Sequence, residues 1–144
     1  MKKILVVHNF YRNFGGEDSN IHEEIKFLKQ NFEVGFFHAK NSNKLKIVDF
    51  FTLFLRNNIY LTRKFKRKID SFNPDIVYVH NTWFNINLGI FSVLKKKNIK
   101  TVVKIHNFRY ECARHFFSKN HLKSNENCNA CGFKKHRLSI FNKY

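Results

Sequence analysis

Residues 73–81, with the sequence Asn-Pro-Asp-Ile-Val-Tyr-Val-His-Asn, decide the fold class of this chain. A proline ends the preceding segment, a short run rich in β-branched residues follows, and the run leads into a His-Asn pair. Residues 4–7, Ile-Leu-Val-Val, form a second apolar run that also leads into a His-Asn pair. Short apolar runs of this kind are typical of strands that are buried on both faces of a parallel sheet.

Helical patterns separate the predicted strands. A helix opens at Glu17, where acidic residues suit the positive end of the helix dipole, and its apolar face follows at residues 21, 25 and 28. Strands that alternate with helices predict an α/β fold, a Rossmann-like parallel sheet with flanking helices. The predicted strands are residues 4–7, 32–37, 75–79 and 101–105, and the further predicted helices are residues 45–69 and 86–97.

Length and composition limit the class of protein. A chain of 144 residues with 43% hydrophobic residues has one domain's length and can form a packed core. Three cysteines are an odd, small number, which argues against a disulfide-stapled secreted scaffold. No apolar run approaches the roughly 18 residues of a membrane span. These features predict a soluble, cytoplasmic domain.

The chain is strongly basic, with 27 Lys+Arg against 10 Asp+Glu and a net charge of +17. Lysine, asparagine and phenylalanine are abundant and arginine is scarce, a bias that AT-rich coding would produce without any anionic partner. The charge is nevertheless uneven, because residues 1–37 are neutral overall and residues 38–70 carry nine bases and two acids. The basic stretch 63–68, Arg-Lys-Phe-Lys-Arg-Lys, would suit an anionic membrane surface or nucleic acid, or is simply a solvated helix face.

Three His-Asn pairs, at residues 8–9, 80–81 and 106–107, end three predicted strands. Ligands of open α/β sheets bind beyond the carboxyl ends of the strands, so these pairs are expected on one edge of the sheet. Their histidines could carry protons or bind sugar hydroxyls, or each pair could only cap its strand. The glycine pair 15–16, between strand and helix, could let a phosphate approach the helix start, or could form a tight turn.

The cysteines suggest a metal site. Cys128 and Cys131 have the Cys-x2-Cys spacing of zinc ligands, and Cys112 lies upstream. A tetrahedral site needs a fourth ligand, and the alternative is three reduced, non-ligating thiols. The candidates for the fourth ligand are His115, His121 and His136.

Taken together, these motifs carry a family resemblance. Residues 15–18 read Gly-Gly-Glu-Asp, residues 73–81 form the third strand, and residues 106–112 read His-Asn-Phe-Arg-Tyr-Glu-Cys ahead of the Cys-x2-Cys pair. In order and spacing the chain resembles the N-terminal domain of retaining GT-B glycosyltransferases of family four, over essentially its whole length. The chain departs from the family pattern at Tyr78 (usually His), Ala113 (usually Pro) and Lys135 (usually the fourth Cys), and the last departure weakens the zinc reading.

The resemblance implies two regions and a set of site residues. Residues 1–110 would be the Rossmann-like half of a GT-B fold, and residues 111–144 a loop-rich, Cys-containing insertion, with the rest of the fold lying beyond. His106 would lie at the reaction centre. The remaining implied site residues are Gly15, Gly16 and Arg109 near the donor phosphates and sugar, His80, Asn81 and Asn107 on the cleft rim, and Cys112, Cys128 and Cys131 at a structural zinc.

The implied activity is transfer of a sugar from a nucleotide-diphosphate sugar to a saccharide or lipid-linked acceptor, with no cofactor required for catalysis. A separate C-terminal half would grip the nucleotide, so these residues alone are expected to be inactive. Peripheral contact with the inner face of the cytoplasmic membrane would give the basic surface a use. The alternatives are a non-catalytic partner subunit and a nucleic-acid-binding module, although no motif for specific nucleic-acid recognition is present.

Overall fold

Four parallel strands form the centre of the structure, a computed structural model that describes residues 1–11, 15–41, 57–83 and 85–105. Their order in the sheet is β2-β1-β3-β4, and every neighbouring pair is parallel. This confirms the predicted α/β class with its parallel sheet. The strands are β1 (Lys3–Phe10), β2 (Glu33–Lys40), β3 (Ile76–Asn81) and β4 (Lys100–Val103).

The described residues include three helices, which pack on both faces of the sheet. They are α1 (Gly16–Leu28), α2 (Ile59–Phe72) and α3 (Gly89–Lys96). Met1–Lys104 forms one compact unit, and a second unit runs from Ile105 to Tyr144. The predicted insertion at 111–144 lies outside the described residues. Within the described ranges, no helix is long and apolar enough to cross a bilayer.

The core is divided between the two faces because successive strand side chains point in opposite directions. On one face, Ile4 and Val6 of β1 pack with Ile21 of α1. On the other, Leu5 and Val7 belong to a larger cluster with apolar residues of α2 and α3. The strand is therefore buried on both sides, as its uninterrupted apolar run predicted.

Helix α3 packs closely against the start of α2. An added Cβ on Gly89 would lie 2.1 Å from Asn57 Oδ1 and 2.5 Å from Thr62 Oγ1, so glycine is required by the close approach. Asn87 lies just before the helix with φ of 60° and forms an antiparallel bridge with Asn57. Since a left-handed residue cannot continue an α-helix, α3 begins at Gly89 and not at residue 86 as the sequence predicted.

Asparagines with left-handed backbone lie at the ends of α2 and α3. Asn73, at the end of α2, has φ of 49°, and its N–H donates to the carbonyl of Ile69. Asn98, one residue beyond the cap of α3, has φ of 51°. None of the described glycines has positive φ. Asparagine thus takes the left-handed positions where glycine is the common choice.

Candidate functional site

The carboxyl ends of β1 and β3 lie side by side in the middle of the sheet. The connections from these two strands run in opposite directions along the sheet, since β2 lies outside β1 and β4 lies outside β3. Such a reversal of strand order opens a crevice above the strand ends, where α/β proteins bind ligands. We call this edge the rim, comprising residues 8–11 of β1 and its exit, residues 80–83 of β3 and its exit, and the first turn of α1.

Two of the three His-Asn pairs meet at the rim. His8 pairs in register with Asn81 after a bulge between Val7 and His8, and the rings of His8 and His80 have centroids 6.2 Å apart. All four side chains of the two pairs are buried. The pairs lie inside the strands and not after them, because their backbones continue the ladder between β1 and β3. The third pair, His106 and Asn107, lies outside the described residues.

A buried carboxylate joins the end of β1 to the start of α1. Asp18, 1% exposed, accepts a hydrogen bond from His8 Nε2 at 2.8 Å through Oδ1. Its Oδ2 accepts from the Gly15 N–H at 3.1 Å. Because a carboxylate only accepts, the proton of this contact is on His8 Nε2. Asp18 therefore stabilises the positive end of the helix dipole and fixes where the helix begins.

A second carboxylate of α1, that of Glu24, contacts three side chains. Glu24 Oε2 accepts from the Tyr78 hydroxyl at 3.1 Å and lies 3.3 Å from His80 Nε2, while Oε1 pairs with the Lys104 ammonium. Burial raises the pKa of Glu24, but the hydrogen bond from Lys104, the charge of His80 and the bond from Tyr78 outweigh burial. The pKa of Glu24 is consequently lowered from its ordinary value.

Tyr78 shows the reciprocal effect. Burial and, after it, the hydrogen bond to Glu24 and the negative charge of Glu24 raise the pKa of Tyr78 to about 12. Its ring lies edge-on to His80, with centroids 4.4 Å apart. Tyr78 occupies the position where the resembled family usually has a histidine, and here it acts as a neutral donor to a carboxylate.

Asn9 and Asn81 of the rim bind the backbone of the strand exits, on the face of the sheet opposite to His8 and His80. Asn81 Nδ2 donates to the carbonyl of Asn9 at 2.9 Å, and Asn81 Oδ1 accepts from the Trp83 N–H at 2.9 Å. Asn9 Nδ2 donates to Asn41 Oδ1 at 2.8 Å and to the Trp83 carbonyl at 2.6 Å. These are the bonds that the strand-capping alternative predicts, and they tie the exits of β1, β2 and β3 together.

No described atom lies close above the glycine pair. Gly15 caps α1 with extended backbone, and Gly16 is the first helical residue. An ideal Cβ on either glycine meets no atom of the described residues within 4 Å, and neither has positive φ. A tight turn that only glycine could form is therefore absent here. Neither backbone strain nor a described neighbour requires glycine at these positions.

Four of the predicted site residues fall on described parts of the chain, and all four lie at the rim: Gly15, Gly16, His80 and Asn81. The sequence did not reveal Asp18 and Glu24 as partners of the histidines. Asp18 is one of the acidic residues that the helix dipole alone explains, and Glu24 carries no motif of its own. A buried partner 54 residues away, as Tyr78 is for Glu24, leaves no local signal in a sequence.

The predicted metal site and reaction centre remain predictions. His106, Asn107, Arg109, Cys112, Cys128 and Cys131 all lie outside the described residues. Among the residues that are described, no group of three or more His, Cys, Asp or Glu side chains could hold a metal ion.

Comparison with known proteins supports the fold. No protein-family profile matches the chain, and no curated protein sequence matches it either. Among solved structures, S. aureus MnaA in a co-structure with UDP is similar, with a TM-score of 0.50 and 12% identity. The match covers 81% of this chain and 33% of MnaA, so the chain spans about a third of that protein's length. At this identity the likeness shows the fold alone: an α/β parallel sheet with flanking helices that resembles part of a GT-B-like fold.

Proposed function

We propose that this chain is the N-terminal, acceptor-side half of a GT-B glycosyltransferase that uses a nucleotide-diphosphate sugar. The observation that carries the proposal is the rim itself. Two adjacent strand exits meet at the reversal of strand order, and α1, which follows β1, starts at a glycine pair with no described atom close above it. Ligands with phosphate groups commonly bind at such a place in α/β proteins.

The first turn of α1 supplies the chemistry for an anion. The backbone N–H groups of Gly16 and Glu17 belong to the helix start, where the helix itself offers no acceptor. Asp18 already occupies the Gly15 N–H, so a diphosphate would bind one residue further into the helix. With no side chain on Gly16, a phosphate oxygen can approach the backbone closely. Developing negative charge on a leaving diphosphate would be stabilised there.

The similar structure favours a uridine nucleotide as the first donor to test, because MnaA was solved with UDP. By the family resemblance, His106 touches the transferred sugar and Arg109 contacts phosphate. His80, Asn81 and Asn107 line the acceptor side, and catalysis requires no metal. The half that grips the nucleotide would come from residues outside these 144. In the reaction, the acceptor hydroxyl oxygen forms a bond to the anomeric carbon of the donor sugar. The bond between that carbon and the diphosphate oxygen breaks, and the hydroxyl proton leaves with the diphosphate.

The test supplies a complementary GT-B C-terminal half in trans and measures transfer from radiolabelled UDP-sugars to saccharide and lipid-linked acceptors. The reconstituted pair is expected to transfer sugar, and the chain alone to transfer none. His106→Ala should reduce turnover by about 10²–10³-fold while leaving thermal melting unchanged, as expected for loss of a transition-state contact. Equal turnover by wild type and His106→Ala would refute the role of His106, and robust transfer by the chain alone would refute the assignment as a half.

A further inference from the structure

The carboxylate of Glu24 is the meeting point of three elements of the described unit. It belongs to α1, its partners Tyr78 and His80 belong to β3, and Lys104 follows the last residue of β4. The Lys104 N–H also donates to the carbonyl of Val79 at 2.9 Å, so its backbone continues the ladder with β3. One side chain thus holds the ends of two strands against the helix that starts at the rim.

The placement of Glu24 affects the rim directly. His80 is fully buried at its side chain, and its Nε2 faces Glu24 Oε2 at 3.3 Å. The contact is electrostatic rather than a hydrogen bond, and the negative charge of a carboxylate at this distance favours a proton on Nε2. Lys104 stands two residues before His106 in the sequence. Fixing Lys104 therefore fixes the end of β4, the last described strand before the predicted reaction-centre residue in the sequence.

We infer that Glu24 is a positioning residue of the rim, which sets the proton and ring orientation of His80 and anchors the exit of β4 through Lys104. The functional part of this inference rests on the proposed transferase activity, whereas the effect on His80 does not. Glu24 itself need not touch substrate. Its carboxylate is 28% exposed at the side chain and is surrounded by its own three partners.

The chain offers a closely matched control. Glu23 neighbours Glu24 on the same helix, but it is exposed, so Glu23→Gln removes the same charge away from the cluster. Glu24→Gln keeps the size of the side chain and an oxygen that can accept from Tyr78 and Lys104, but removes the negative charge. Lys104→Met removes only the anchor of the β4 exit and leaves the carboxylate beside His80.

The experiment records the imidazole nitrogen signals of His80 by NMR in the ¹⁵N-labelled full chain, with the signals assigned by their loss in His80→Gln. Glu24→Gln is expected to shift the Nε2 and Nδ1 signals of His80, while Glu23→Gln and Lys104→Met leave them in place. Tyr78→Phe, which keeps the carboxylate and its charge, should also leave the tautomer unchanged. Identical His80 signals in wild type and Glu24→Gln would overturn the inference. Should Glu24→Gln fail to fold, Glu24→Asp replaces it, because the shorter side chain withdraws the carboxylate from His80 Nε2, and His80 signals identical to those of wild type would overturn the inference equally.

The same variants are then assayed for transfer in the reconstituted pair. A small displacement of a reacting group costs about 10²-fold in rate, so turnover by Glu24→Gln should fall by up to that factor. Turnover by Glu23→Gln should match wild type. If the wild-type pair shows no transfer but the His80 signals shift in Glu24→Gln alone, the proposed function fails and the positioning of His80 stands. Full turnover by Glu24→Gln together with shifted His80 signals would show that Glu24 affects His80 but not the reaction, which would overturn its role in turnover.

Discussion

The His8 imidazole and the Asp18 carboxylate lie 2.8 Å apart, both essentially without solvent exposure, and they join the last residues of β1 to the first turn of α1. The same carboxylate accepts from the Gly15 N–H. One side chain therefore fixes the strand end, the loop exit and the helix start. The open face of the helix terminus keeps its position over the rim because of this contact.

Replacing Asp18 with asparagine should destabilise the fold. Asparagine keeps the size of the side chain but loses the charge that strengthens the bonds to His8 and to the Gly15 N–H. Hydrogen bonds to charged groups contribute about 1.5–3 kcal/mol, so the free energy of unfolding should fall by about that amount. Urea denaturation measures it, with Ser19→Ala at the next, exposed position of α1 as the control. An Asp18→Asn midpoint equal to that of wild type would show that the buried contact adds nothing.

Two glycines that begin helices should respond oppositely to alanine. Gly16→Ala places its methyl group near no described atom and should stabilise the chain by about 0.4–1 kcal/mol, because alanine restricts the unfolded chain. Gly89→Ala forces a Cβ onto Asn57 and Thr62 and should destabilise by about 1–3 kcal/mol. Thermal melting of both variants checks the signs.

The same pair separates folding from binding. In the reconstituted enzyme, Gly16→Ala should raise the donor KM although the protein is more stable, because the methyl group blocks close approach of the diphosphate. Unchanged donor KM in Gly16→Ala would contradict a phosphate contact at this residue.

The stability contributed by Glu24 should depend on pH. Its folded-state pKa is lowered from the ordinary value of 4.5. The contribution is therefore fully present above pH 4.5 and is lost as the pH falls through the lower, folded-state value. The difference in urea midpoint between wild type and Glu24→Gln should be constant near neutral pH and shrink below pH 4.5. A difference that persists undiminished in acid would mean that the charge of Glu24 is not its source.

The basic face of α2 should bind anionic membranes weakly. Arg63, Lys64, Lys66 and Arg67 are exposed, while Phe65 and Ile69 are buried against the sheet. Each basic residue near an anionic bilayer contributes about 1 kcal/mol, and salt screens the attraction. Co-sedimentation with phosphatidylserine-containing vesicles should occur at low salt and disappear at high salt.

The control removes the same number of positive charges at other positions. Replacing the four α2 residues with glutamine should abolish sedimentation. Replacing four scattered, exposed lysines with glutamine should preserve most of it; those lysines are Lys2, Lys26, Lys29 and Lys95. Equal losses in both variants would mean that only net charge matters. No sedimentation of the wild type would leave codon bias as a sufficient explanation of the basic composition.

The strands at the centre of the sheet were predictable because a strand that is buried on both faces has an uninterrupted apolar sequence. Residues 4–7 and 76–79 are apolar without interruption, and both became strands at the predicted places. β4 was predicted by the same criterion, yet all four of its residues are exposed, since it pairs only with β3 within the described sheet. Residue type therefore indicated that these residues form a strand, but not how far the strand is buried.

The rim was predictable in outline and not in its contacts. Parallel topology alone brings His8 and His80 to one edge of the sheet, so their proximity followed from the strand assignment. The partners of these histidines did not follow. Glu24 reaches His80 only because α1 packs on the face of the sheet that carries Tyr78 and His80, and the packing of a helix on a sheet depends on side chains distant in sequence.

The asparagines with left-handed backbone at 73, 87 and 98 are what AT-rich coding would produce at helix ends and turns. AT-rich codons supply asparagine readily and glycine hardly at all. Asparagine is the non-glycine residue that tolerates this conformation best, so helix ends and turns can be specified without GC-rich codons. The cost is chemical ageing, because an asparagine such as Asn98, whose next residue has a backbone N–H, can deamidate over time, whereas glycine cannot. Asn73 is protected, because Pro74 has no N–H that could attack the side-chain amide. Long-lived derivatives of this protein would therefore be sought first by placing glycine at residue 98, which keeps the left-handed backbone at the end of α3.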